Sequence, residues 1–164
     1  MRYFITFTGY GARVHWDESG SVDRYHNLFG GRTLGADPLL AQAERGSMQE
    51  TPYEMDSQSR EIVLRALTEV CAQRGWNLLA AHVRTNHVHV VVEAEAPPEK
   101  VMNDFKAYSS RALNRVDGGR SGQRRWARHG STRWLWKDQD VRHAIRYVVE
   151  QQGEPMAVFF GDVV

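Results

Sequence analysis

The chain is nearly free of cysteine, with Cys71 alone among 164 residues. An internal disulfide is therefore excluded, and a reducing cytoplasm suits it. Cys71 falls in an apolar helical pattern and reads as a small core residue. Long hydrophobic runs are also missing. Nothing approaches the roughly 18 consecutive apolar residues that a membrane span requires. The first residues, Met1-Arg2-Tyr3-Phe4-Ile5-Thr6-Phe7, lack the long apolar run and small-residue cleavage site of a secretory signal and read as a strand. A charge excess of one sign is absent too, since the formal net charge is only +1. That balance hides an uneven distribution. Lys100, Lys106, Arg111, Arg115, Arg120, Arg124, Arg125, Arg128 and Arg133 face only Asp104 and Asp117 over residues 100–133. A neutral chain with one basic segment suggests a local surface for a polyanion.

The length and ordinary apolar content predict one domain over residues 1–164. Residues 2–8 alternate as a strand. The Gly-, Asp- and Pro-rich stretch from Gly9 to Met55 has no sustained period. It reads as a loop region inserted over about 17–55, with a short strand near Ala12–Trp16. A helix follows, capped by Asp56 or Ser57 and striped by Ile62, Val63, Ala66, Leu67, Val70 and Cys71, and Gly75 ends it. Trp76–Arg84 and Asn86–Ala94 read as a hairpin. Pro98 opens a second helix that fades at Asp117-Gly118-Gly119. Gly119–Thr132 reads as a basic loop, Arg133–Lys137 as a short aromatic strand, and Asp138 as the cap of a last helix reaching Gln152. Residues 153–164 form a tail with no predicted element. The core order β-α-β-β-α-β predicts a ferredoxin-like (RRM-like) α+β fold, an antiparallel sheet with an added C-terminal helix.

The sharpest chemical signal is Asn86-His87-Val88-His89-Val90-Val91-Val92. Residues two apart on a strand share a face, so His87 and His89 project side by side while Val88, Val90 and Val92 bury the other face. Two polar rings on so apolar a strand need a reason, and a shared divalent cation supplies one. Two histidines rarely complete a catalytic metal site, so a further ligand is expected elsewhere. The last helix carries Val141, Ala144, Ile145 and Val148 as its apolar stripe. Tyr147 and Gln151, four apart, lie one above the other on the border of that stripe, with His143 one turn earlier. Tyr108 competes as the reactive tyrosine. It sits on the basic helix, and Ala112 four residues on offers no ligand. Trp126, among Arg124, Arg125 and Arg128, is a candidate for stacking on bases. Trp134 and Trp136 more simply fill a core.

Taken together, His87-Val88-His89 and Arg146-Tyr147-Val148-Val149-Glu150-Gln151, behind the helix Phe105-Lys106-Ala107-Tyr108-Ser109-Ser110-Arg111, resemble the single-tyrosine HUH transposases. Those include the REP-associated tyrosine transposases of bacteria. The resemblance covers roughly residues 1–8 and 57–152; the insertion is longer than the family leads one to expect, and the tail Met156–Val164 is unmatched. It implies cleavage and rejoining of single-stranded DNA near a hairpin or palindrome, with Tyr147 attacking a backbone phosphate to leave a 5′-phosphotyrosine and a free 3′-hydroxyl. It implies Mg²⁺ or Mn²⁺ on His87, His89 and Gln151. The basic segment, with Lys106, Arg111, Arg115, Arg124, Arg125, Trp126 and Arg128, would hold the strand. A phenol, with an ordinary pKa of about 10, is a weak nucleophile at neutral pH and needs such a cation and good alignment. Monomer and homodimer both remain open, as does a domesticated descendant of a transposase. Two rivals stay beside this reading. A non-catalytic nucleic-acid-binding domain on the same fold would want exposed aromatics on the central strands. A metal-dependent phosphodiesterase would want acidic ligands, for which Glu93 is the obvious candidate.

Overall fold

The computed structural model describes residues 1–12, 52–118 and 124–162. The elements in chain order are β1 (Arg2–Gly9), α1 (Ser57–Arg74), β2 (Asn77–Val83), β3 (His87–Glu93), α2 (Pro98–Asp117), β4 (Trp126–Trp134), α3 (Asp138–Glu150) and β5 (Ala157–Phe160). The strands form one five-stranded sheet in the order β4-β1-β3-β2-β5, every pairing antiparallel. Its first four positions are the ferredoxin-like order, as expected from the sequence. Of the expected strand near Ala12–Trp16, Ala12 lies in a turn, its N–H donating to the Gly9 carbonyl at 3.0 Å, and the rest, with nearly all of the insertion, lies outside the described residues. The two ends of the insertion meet: Tyr53 N–H donates to the Tyr10 carbonyl at 2.8 Å.

Local chemistry explains the helix ends. The Asp56 carboxylate accepts the Ser59 amide at 2.8 Å, and Gly75 and Gly118 close α1 and α2 in the left-handed region at φ 70° and 76°. The last helix is capped differently from the expectation. Lys137 is its N-cap, with its N–H donating to the Asp140 carboxylate at 3.3 Å, and Asp138 lies in the first turn paired with Arg2 at 2.6 Å.

Strand alternation sorts the core into two layers. Tyr3, Ile5, Phe7, Val88, Val90 and Val92 point to α1 and α2 and are fully or almost fully buried. Phe4, Ala80 and Val91 point the other way and pack beneath Val141, Ala144, Ile145 and Val148 of α3. Each Val, Ile or Phe among them contributes about 1.5–3 kcal/mol when taken from water, so the one-residue register that separates the layers is strongly fixed.

Two expectations are corrected. Residues 126–132, read as a basic loop, are most of β4, and the strand ends at Trp134 rather than Lys137. Their Gly, Ser and Thr content imitates a loop, but pairing with β1 satisfies the backbone. The tail also has an element. Ala157–Phe160 adds β5 to the edge at β2, with Ala157 and Phe159 joining the α1 layer.

Candidate active site

The site begins with one face of β1 and β3. Their register sets Thr6 opposite His89 and Thr8 opposite His87, so these four share the face that α3 partly covers. The ring centres of His87 and His89 lie 4.8 Å apart at 75°. Two imidazoles on one cation at near right angles, with metal–nitrogen distances of about 2 Å, hold their ring centres about 4–5 Å apart, so the pair fits a shared metal.

Second partners orient both rings. The Asn86 Oδ1 lies 2.7 Å from His87 Nδ1 and can only accept, so His87 carries its proton there and its lone pair on Nε2. The Thr6 hydroxyl lies 2.8 Å from His89 Nδ1, in a buried contact that can fix the same tautomer. Metal-binding histidines are held in this way by the ring nitrogen that does not bind. A third histidine, His82, sits across from His89 on β2. It is no ligand: its Nδ1 donates to the Val148 carbonyl and its Nε2 accepts the Met156 amide, both at 3.0 Å.

The fold brings Tyr147 to this pair. Its ring centre stands 5.7 Å from that of His89, and Phe4 wedges below both, at 5.8 Å from each. Tyr147 remains 36% exposed, which lets it meet a substrate while its ring stays packed. Gln151 follows one turn later as the C-cap of α3, exposed, with its amide N–H donating to the Tyr147 carbonyl at 3.3 Å. The histidines and the tyrosine thus meet at once; the Gln151 side chain has no described contact with them. Tyr108 lies on α2, behind the sheet, where its hydroxyl donates to Gln73 Oε1 at 3.0 Å. Glu93 shares the histidine face, but four residues along a strand put it roughly 13 Å from His89.

The expected DNA-binding residues separate into two groups. Arg111, Arg115, Arg124 and Arg128 are exposed; Arg111 lies over the Tyr108 ring at 4.6 Å and Arg124 over Tyr10 at 5.0 Å. The others are fixed within the fold. Arg125 is buried, with its guanidinium held by Asp117, Asn114 and the Ser110 carbonyl. Lys106 donates to the Ala127 carbonyl at 3.0 Å, and burial lowers its pKa. Trp126 is half-buried rather than in an open loop. Its indole N–H donates to Ser110 Oγ at 3.0 Å, and its ring meets Phe7 and Tyr53 edge-on. A hollow of about 430 Å³ beside Tyr3, Pro97 and Trp134 contains none of the expected site residues and is flanked by Glu95 and Glu99, the wrong charge for a polyanion.

The sequence reading missed two residues on the active face. Thr6 is one; its place two after Phe4 on an alternating strand is the signal. Arg133 is the other. Trp134 and Thr132 on either side of it face the α2 layer, so Arg133 must face α3.

A ferredoxin-like sheet thus carries paired histidines on a central strand, with a tyrosine of a late helix set beside them. The profile of IS200-like transposases matches residues 53–149, well over half of the chain, which therefore belongs to the IS200-like transposase family. Among solved structures, a REP-associated tyrosine transposase bound to a REP hairpin is similar at TM-score 0.49 and 13% identity, over 92% of this chain. This chain spans 65% of that protein's length. A protein of Deinococcus radiodurans assigned as a transposase is similar at TM-score 0.44 and 14% identity, over 93% of this chain and 90% of its own. No curated protein is similar enough in sequence to count as a match. No helix among the described residues is long and apolar enough to cross a membrane.

Proposed function

We propose that this chain cleaves and rejoins single-stranded DNA with Tyr147 as its nucleophile and a divalent cation, Mg²⁺ or Mn²⁺, held by His87 and His89. The observation that carries the reading is the 5.7 Å approach of the Tyr147 and His89 rings, in a chain that belongs to a transposase family. The Gln151 amide oxygen, one turn beyond Tyr147, is the proposed third ligand.

When bound there, the cation would draw charge from the scissile phosphate. The chain's own residues do the rest. Phe4 and the apolar stripe of α3 fix the Tyr147 ring, so its hydroxyl is presented with little freedom to lose. The Tyr147 oxygen attacks phosphorus and the bond to the 3′ oxygen breaks. That oxygen leaves with the bonding pair and gains a proton, the phenolic proton passes to water, and the 5′ phosphate stays on tyrosine. Reversal by a 3′-hydroxyl rejoins the strand without loss of bond energy, which hydrolysis would not allow. Thr6 and Asn86 hold the Nδ1 atoms of the two imidazoles, which leaves Nε2 of each for the cation. The exposed Arg124 and Arg128 would hold the backbone beyond the reacting phosphate, while Arg111 and Arg115, on α2 behind the sheet, would meet only DNA that wraps around the β4 edge; the proposed substrate is a strand flanked by a hairpin.

The test is cleavage of such a labelled strand by the wild type and by the His87→Ala/His89→Ala variant, with and without chelator. Cleavage that needs both the histidines and the cation supports the reading. Full cleavage by the double variant, or in excess chelator, removes the metal from it.

A further inference from the structure

Among the described residues, Arg133 is a cation with no carboxylate to answer it. Its place opposite Phe4 in the β1–β4 pairing sets it on the active face, beside the residue that wedges under Tyr147 and His89. It is half-buried, its Nε is sealed from water without a hydrogen-bond partner, and no carboxylate pairs with it among the described residues. Arg125 provides the contrast. Its Nε is also sealed, but its other nitrogens hold Asp117 and Asn114. Burial lowers the pKa of Arg133, and negative charge on Tyr147 acts in the opposite direction, so the two groups lie within electrostatic reach. A guanidinium keeps its proton across the working range, and a charge buried without a counter-ion costs stability. Such a cost persists where the missing partner is a ligand.

We propose that Arg133 receives the backbone phosphate that Tyr147 attacks, donating to its non-bridging oxygens from the β4 side. The position rests on the nucleophile reading above, but the anion site can be tested apart from it. The planar fork of donors suits a phosphodiester, and it comes from β4, on the other side of β1 from the strand that carries the histidines. Held so, the phosphate is fixed between the basic fork and the histidine pair, with the tyrosine oxygen above phosphorus. The charge that builds on the equatorial oxygens during attack meets a donor already in place.

The experiment compares wild type with Arg133→Gln, Arg133→Met and Arg133→Lys. The probe is a hairpin-flanked deoxyoligonucleotide, measured for affinity across a salt series, for adduct formation and for the unfolding midpoint. Losing one phosphate contact should flatten the log-affinity against log-salt slope by about 0.7 for a single strand in the Gln and Met variants, while Lys keeps it. Adduct formation should slow about 100-fold in Gln and Met. Arg133→Met should unfold at a higher temperature than the wild type, because a charge without a counter-ion has been removed. An unchanged slope in both uncharged variants overturns the proposal, and a lowered midpoint with it makes Arg133 a structural residue. The slope decides the anion site even if Tyr147→Phe still forms the adduct, an outcome that would overturn the nucleophile reading alone.

Discussion

His82 donates its Nδ1 proton to the carbonyl of Val148 at 3.0 Å. Val148 is the residue after Tyr147, and the other nitrogen of His82 accepts the Met156 amide at the approach to β5. One buried imidazole thus ties β2 both to the helix that carries the tyrosine and to the edge strand that completes the sheet.

That double role requires a neutral ring. Burial is the main cause that lowers the pKa of His82; the bond to Val148 opposes it and Arg84 adds to it. A group with a lowered pKa in the fold penalises folding as pH falls below its unfolded value, about 6.5 for histidine, until the folded pKa is reached. In His82→Leu the unfolding midpoint should be lower at neutral pH, by an amount equivalent to about 1–3 kcal/mol. The gap to wild type should narrow between about pH 7 and pH 5. Thermal melts of both proteins across that range are the check, and a constant gap would mean that His82 is not held neutral.

Thr6→Val removes the hydroxyl beside His89 Nδ1 and keeps the side chain's shape. With the ring no longer fixed, Mn²⁺ affinity should fall about 10-fold or more, while stability changes by about 1 kcal/mol or less. Calorimetric titration with Mn²⁺ measures the first and a denaturant melt the second.

Gly130 is a close-approach glycine. A Cβ there would stand 2.5 Å from the Thr6 carbonyl oxygen and 2.6 Å from the Met102 sulfur. Met102 can bend away, but the β1 backbone cannot without shifting Thr6. Gly130→Ala should therefore destabilise the protein by roughly 1–3 kcal/mol in a denaturant melt.

The sequence made the fold legible where one face is buried and one is not. Val88, Val90 and Val92 alternate with His87 and His89, so strand, register and face follow from period alone. The stripe Val141, Ala144, Ile145 and Val148 likewise set Tyr147 at the edge of α3. Residues 126–132 were illegible for the opposite reason. Their run of Gly130, Ser131 and Thr132 carries few apolar side chains, and their strand state comes from pairing with β1, a partner far away in sequence. Arg125 shows the limit of reading charge. The sequence places it in a basic cluster, and only the fold reveals that Asp117 takes its charge.

That ion pair separates the buried Arg125 from the exposed arginines. Asp117→Ala leaves the buried Arg125 guanidinium short of its counter-ion and should cost about 3 kcal/mol of stability. Neutralising the exposed Arg111, Arg124 and Arg128 should leave stability nearly unchanged and flatten the salt dependence of DNA binding. Melts and salt-series titrations on the two variants distinguish the groups, and a triple variant with an unaltered slope would move the strand to another surface.

The central claim is that Tyr147 is the nucleophile, and it has a direct test. Tyr147→Phe keeps the ring packed on Phe4 and His89 but removes the attacking oxygen. Wild type and Tyr108→Phe, incubated with Mn²⁺ and a labelled hairpin-flanked single strand, should each give a covalent protein–DNA band on a denaturing gel. Mass mapping should place the adduct on the Tyr147 peptide. Tyr147→Phe should fold, bind the strand and give no band. An adduct that persists in Tyr147→Phe, or that maps to Tyr108, would contradict the account.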